Sequence, residues 1–155
     1  MYESGRGDGF EEDEADISAD IYYITMAIGV EYLLNAIVLQ NDPSFFADKS
    51  DERRRSPSLS KLIGKVCSDL LPTELDNDQR NLIADTLQLI KVRRNNFAHL
   101  GYHSSLHSYH PQVIHYVLAY FVKTYFEDEE LLLNLLYYAD AENYIEGEYG
   151  GLTED

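Results

Sequence analysis

Val92-Arg93-Arg94-Asn95-Asn96-Phe97-Ala98-His99-Leu100-Gly101 closes a long helical pattern, and the rest of the chain is read outward from it. Upstream, Ile83, Leu87 and Ile90 recur at helical spacing, and Arg94 continues that stripe in phase. A charge on a packing face is costly without a partner, so Arg94 calls for a chemical reason. Asn95 and His99 are four apart and share a helix face. At about 100° per residue, Arg94 and His99 stand roughly 140° apart on an ideal helix. They meet one substrate only if the arginine stem wraps round or the helix loosens before Gly101. Gly101 is a natural terminator, because glycine accepts the left-handed conformation that closes a helix.

Thr73 or Asp76 caps this helix at its start. Before it, Ser56-Pro57 begins a helix that carries Leu59, Leu62, Ile63, Val66 and Leu70 on one face and stops at Pro72. The first helix runs from about residue 17 to Gln40, capped by Asp16 or Ser18, and Asn41-Asp42-Pro43 stops it. Ile21, Ile24, Ile28 and Tyr32 make one stripe on it. Val30, Leu34, Ile37 and Val38 widen that stripe into nearly all-round burial, leaving Glu31 and Asn35 as the polar line. Residues 21–39 are apolar enough to raise a membrane span, but Glu31 and Asn35 interrupt them and no basic flank orients them, so a buried helix is expected. Downstream of the motif, Pro111 opens a helix faced by Ile114, Val117, Leu118, Phe121 and Tyr125. Glu127 to Glu130 then suit the first turn of a last helix that buries Leu131, Leu132, Leu135 and Leu136. The pattern predicts an all-α, up-down bundle of four to five helices over residues 17–139, between an acidic, disordered tail at 1–16 and an acidic, flexible one at 140–155, which have little to bury.

With 155 residues the chain is most simply one domain with a real core. Cys67 is its one cysteine, which excludes an intrachain disulfide or a CxxC site, and its apolar setting reads as a buried, inert thiol. The absence of a basic-then-apolar leader pattern suggests a cytoplasmic protein. The net charge of −16 is unevenly spread. Residues 1–20 carry eight acids and one arginine, residues 127–155 carry ten acids and no lysine or arginine, and the stretch between carries eleven basic and ten acidic side chains. A core near neutrality can hold an anion locally, and acidic ends either solvate the protein or compete with an anionic ligand for the same site.

Other groups join the motif as candidates. Arg53, Arg54 and Arg55 can hold phosphates bidentately, as can Arg93, or the run is a solvated loop behind Asp51 and Glu52. Glu31 either orients Arg94 across the bundle or reaches solvent at a groove edge. His99, His103, His107 and His110 lie four, four and three apart, a spacing that suits one helical face and a metal, but Gly101 and Ser104-Ser105 weaken the helix and no carboxylate or thiolate accompanies them. No metal or other cofactor is expected.

The arrangement Arg94-Asn95-x-x-x-His99, with Phe97 filling an apolar slot inside it, resembles the Arg-x4–6-His motif of the HEPN superfamily, small all-helical proteins of toxin–antitoxin, phage-defence and CRISPR systems. Gly29-Val30-Glu31-Tyr32-Leu33-Leu34-Asn35-Ala36-Ile37-Val38-Leu39 looks like that fold's early core helix, so the resemblance covers roughly residues 17 to 126. It implies a metal-independent endoribonuclease in which Arg94, Asn95 and His99 act on RNA, two copies facing each other to share one cleft. It equally allows an inactive binding or regulatory member that works through protein partners. Some toxins of the family are silenced by a nucleotidyltransferase antitoxin that adenylylates a tyrosine two residues after the motif histidine. Here that position is Gly101, and Tyr102 follows one later.

Overall fold

The structure, a computed structural model, describes residues 9–46, 57–100 and 109–139, and within them the side chains of 19–46, 57–98 and 110–139. Helix α1 spans Gly9–Asn41, α2 Leu59–Lys65, α3 Asn77–Leu100, α4 Tyr109–Tyr125 and α5 Glu129–Ala139. Among the described residues there is no strand, and the architecture is the expected all-α bundle.

The helix boundaries follow from capping chemistry. Ser58, in extended conformation, accepts from the Lys61 amide at 3.4 Å and starts α2 two residues after the expected Ser56-Pro57. Asp76 is the cap of α3: its Oδ1 accepts from the Gln79 amide at 2.8 Å, and the Gln79 side chain accepts from the Asp76 amide at 3.0 Å, a reciprocal capping box. Asp128 caps α5 through the Leu131 amide at 2.9 Å. The backbone of α1 is helical from Gly9, ahead of the expected start near residue 17. That places Glu11 to Glu14 in its first turns, where the helix dipole favours acids.

At its other end α1 closes on the Asp42 amide bonded to the Val38 carbonyl, and a 3-10 turn follows at Pro43–Phe46. Lys65 binds Asp42 at 2.8 Å and Asp69 at 2.7 Å, fastening the end of α1 to α2. Hydrogen bonding to Lys65 pulls the Asp42 carboxyl below its usual range. Beyond Lys65 the backbone widens into a π turn at Val66–Leu70. The Leu71 amide reaches the Val66 carbonyl, Tyr125 Oη donates to the Leu70 carbonyl at 2.6 Å, and Pro72 has no N–H with which to continue.

The core is built from Tyr23, Ala27, Val30, Leu34, Ile37 and Val38 of α1, Leu62 and Ile63 of α2, Ile83, Leu87 and Ile90 of α3, and Ile114, Val117 and Phe121 of α4. Two expectations are corrected here. Helix α1 is buried on one side only: Ile21, Ile28, Tyr32 and Leu39 are 53–75% exposed, because nothing described packs on the face opposite the core stripe. The helix enclosed nearly all round is α4, in which Val113, Ile114, Tyr116, Val117 and Ala119 to Val122 are all buried. Helix α5 packs closely against α4, yet Leu131 is exposed, Leu132, Leu135 and Leu136 are half-buried, and Ala139 is its buried residue. The stretch Ala19–Asn41 is long and apolar enough to cross a membrane, and 33% of its most apolar window is buried in the bundle.

Candidate functional site

Helices α3 and α4 run antiparallel: Arg80, early in α3, lies within electrostatic reach of Tyr120, late in α4. His110, at the start of α4, meets Tyr23 of α1.

Among the described residues of α3, none beyond Ile90 is buried. The stripe Ile83, Leu87 and Ile90 is fully buried, yet its continuation, Arg94 and Phe97, is exposed. Helix α3 has 24 residues and α4 has 17, and the last turns of α3 run past the core. The in-phase arginine therefore reaches water and its burial cost does not arise. Phe97, expected in an apolar slot, is 37% exposed. The Arg94 guanidinium donates from Nη1 to Asn95 Oδ1 at 3.1 Å, which holds the fork over its neighbour and leaves the Asn95 amide nitrogen to donate. Among the described residues Arg94 has no acidic partner, and no ion pair joins it to Glu31. Glu31 is half-buried, and its backbone carbonyl accepts from the Asn35 side chain at 2.8 Å. Arg93 is half-buried beside Arg94. Between Thr86 and Leu100 the helix carries Lys91, Arg93 and Arg94 and no acid, a cationic end on a protein of net charge −16.

The His99 backbone belongs to the last turn of α3, while its side chain lies outside the described residues, as do Arg53, Arg54, Arg55, Tyr102, His103 and His107. Of the histidine series, His110 is described: it is buried, and its Nδ1 lies 2.5 Å from Tyr23 Oη. No group of three or more metal-ligating side chains occurs among the described residues. Cys67 is half-buried, and burial pushes its thiol up.

Sequence reading missed a polar and aromatic cluster between α1, α4 and α5. Tyr22 and Tyr23 meet edge to face at 5.5 Å, Tyr22 lies 6.3 Å from the His115 ring, and His115 lies 5.5 Å from Tyr138. His115 Nδ1 sits 2.5 Å from the Pro111 carbonyl. A carbonyl only accepts, so Nδ1 carries a proton. Burial raises the Tyr22 phenol well above its ordinary value, with Tyr23 adding to the shift. No sequence signal announces the cluster, since its central bond joins residues 87 apart.

An exposed guanidinium held by a carboxamide, on a helix end with three cations and no acid, can bind a phosphodiester and stabilise added charge on its nonbridging oxygens. Family models, curated proteins and solved structures offer no match to this chain.

Proposed function

We propose that the chain is a metal-independent endoribonuclease of the HEPN kind, acting in the cytoplasm in a toxin–antitoxin or phage-defence setting. The observation that carries this reading is the Arg94 guanidinium: it lies in phase with a core stripe yet stands in solvent, bonded to Asn95 and unpaired by any described acid.

In the proposed reaction the RNA 2′-OH attacks the adjacent phosphorus. The new O–P bond forms as the bond to the 5′-oxygen breaks, leaving a 2′,3′-cyclic phosphate and a 5′-OH. One group must take the 2′ proton and another must give a proton to the leaving oxygen. His99 is of the right pKa class for either task, near 6.5 when unperturbed. Arg94 carries charge to the phosphoryl oxygens and transfers no proton. Two copies related by a twofold axis supply the missing partner, one His99 neutral as base and the other protonated as acid. Arg93 and the Arg53–Arg55 run extend the path for the RNA backbone. A nucleotidyltransferase partner that modifies Tyr102 is the proposed means of restraint.

The test is cleavage of end-labelled RNA in EDTA. Wild type is expected to leave cyclic or 3′-phosphate ends, with a bell-shaped pH dependence set by the two histidines. Arg94→Ala and His99→Ala should each abolish cleavage and leave the protein folded, the exposed Arg94 site shifting unfolding by no more than about 0.5 kcal/mol. Cleavage that survives both substitutions, or that needs a divalent ion, removes the nuclease reading and leaves a non-catalytic binding protein.

A further inference from the structure

The outer face of α1 has no use in the reaction above. Along it Ile21, Thr25, Ile28, Tyr32, Asn35 and Leu39 follow one another at intervals of four, three, four, three and four residues. That is the a/d spacing of a two-helix seam. The four apolar members are 60%, 53%, 75% and 57% exposed, in chain order. Together they leave roughly 500 Å² of accessible surface per chain, well on the way to the ~800 Å² per partner of a standard interface. Exposed apolar patches of a few hundred Å² are often functional.

We infer that this face pairs with the same face of a second copy, the two α1 helices running antiparallel about a twofold axis level with Val30. The register is self-complementary. Ile21 meets Leu39 of the second copy, Ile28 meets its Tyr32, and the two polar members, Thr25 and Asn35, meet each other. Thr25 and Asn35 each spend one donor on their own helix, to the carbonyls of Ile21 and Glu31 at 2.8 Å. The second amide hydrogen of Asn35 remains for the Thr25 oxygen across the seam. Gly29, exposed and with nothing within 4 Å of where a Cβ would stand, leaves room beside Ile28 for the Tyr32 ring.

Charge selects the direction. Helix α1 begins at Gly9 and carries Glu11, Glu12, Asp13 and Glu14. A parallel pair sets these two acidic runs side by side, about one interhelical spacing apart. The antiparallel pair sets them roughly 50 Å apart, several screening lengths. From Ile21 to Asn41 the helix carries one charge, Glu31. A membrane is the other apolar occupant, but the face has no cationic flank to meet lipid headgroups and holds Asn35 near its centre. This interface is separate from the shared motif cleft, because Arg94 stands on α3, which packs against the opposite side of α1.

The test uses the full chain and does not rest on the nuclease reading. In analytical ultracentrifugation at micromolar concentration, Ile28→Glu with Tyr32→Glu should halve the mass of the wild-type particle and leave far-UV circular dichroism unchanged. In a Cys67→Ser background, Ile21→Cys with Leu39→Cys should oxidise to a covalent dimer, and Ile21→Cys alone should not. The inference is overturned if wild type is a monomer, if the glutamate variant keeps the wild-type mass, or if Ile21→Cys alone crosslinks as well as the double variant. It is also overturned, in favour of a membrane, if a monomeric wild type floats with phosphatidylcholine–phosphatidylglycerol vesicles and the glutamate variant does not.

Discussion

Tyr23, His110 and Tyr125 show what single polar groups do inside this bundle. Tyr23 and His110 are both buried, and each satisfies the other. Tyr23→Phe removes this buried hydrogen bond, so the expected loss is about 1–3 kcal/mol in urea unfolding. Tyr125 donates to the Leu70 carbonyl, and its phenol is pushed up to about 12, chiefly by burial. An unfolded tyrosine ionises near pH 10. Between about pH 10 and 12 the folded state therefore keeps a proton that the unfolded state has lost, and stability present below pH 10 falls as pH rises. Urea midpoints measured across that range should decline less steeply for Tyr125→Phe than for wild type, although the variant starts lower at neutral pH for want of its hydrogen bond. Equal slopes would remove Tyr125 from the alkaline limb.

Among the elements, α3 carries both the fold's central stripe and the candidate chemistry, and its first turn secures both. The Asp76–Gln79 box satisfies two amides at the helix start, while Arg80 reaches back to the carbonyls of Pro72 and Leu75 at 2.5 and 3.2 Å. Asp76→Ala should lower stability by about 0.5–2 kcal/mol. Leu87→Ala, at a fully buried position, should cost about 2–5 kcal/mol through lost transfer energy and the cavity left behind. Urea titration of both variants checks the order. A larger loss for Asp76→Ala would mean that the cap, rather than the stripe, holds α3 in place.

At the scale of the whole molecule, a net charge of −16 acts on every association. Pairing of copies along the apolar face of α1 brings like charges together, and added salt screens that repulsion. RNA held by Arg93 and Arg94, as proposed, would instead release counterions on binding, and added salt would weaken it. The two responses should have opposite signs between about 50 and 500 mM salt, self-association rising while RNA affinity falls. Sedimentation and filter binding on one preparation decide this. Self-association that falls with salt would show that the contact between copies is ionic rather than apolar.

The sequence by itself determined the helices, because spacing and capping are local. The stripe Ile83-Leu87-Ile90, the stops at Pro43 and Pro72, and acids suited to begin α3 and α5 are written in consecutive residues. It also marked Arg94 as a charge in phase with an apolar face. Only the tertiary structure decided which faces are covered. Both stripes of α1 are apolar, and nothing local separates Val30, Leu34 and Ile37, which are buried, from Ile21, Ile28 and Tyr32, which are not. Burial depends on what other helices bring alongside, as α4 shows by being enclosed nearly all round. The same holds for Arg94, which is exposed because α3 outruns its neighbours, and for the Tyr23–His110 bond, whose partners are 87 residues apart in the chain and meet only when α4 folds back against α1.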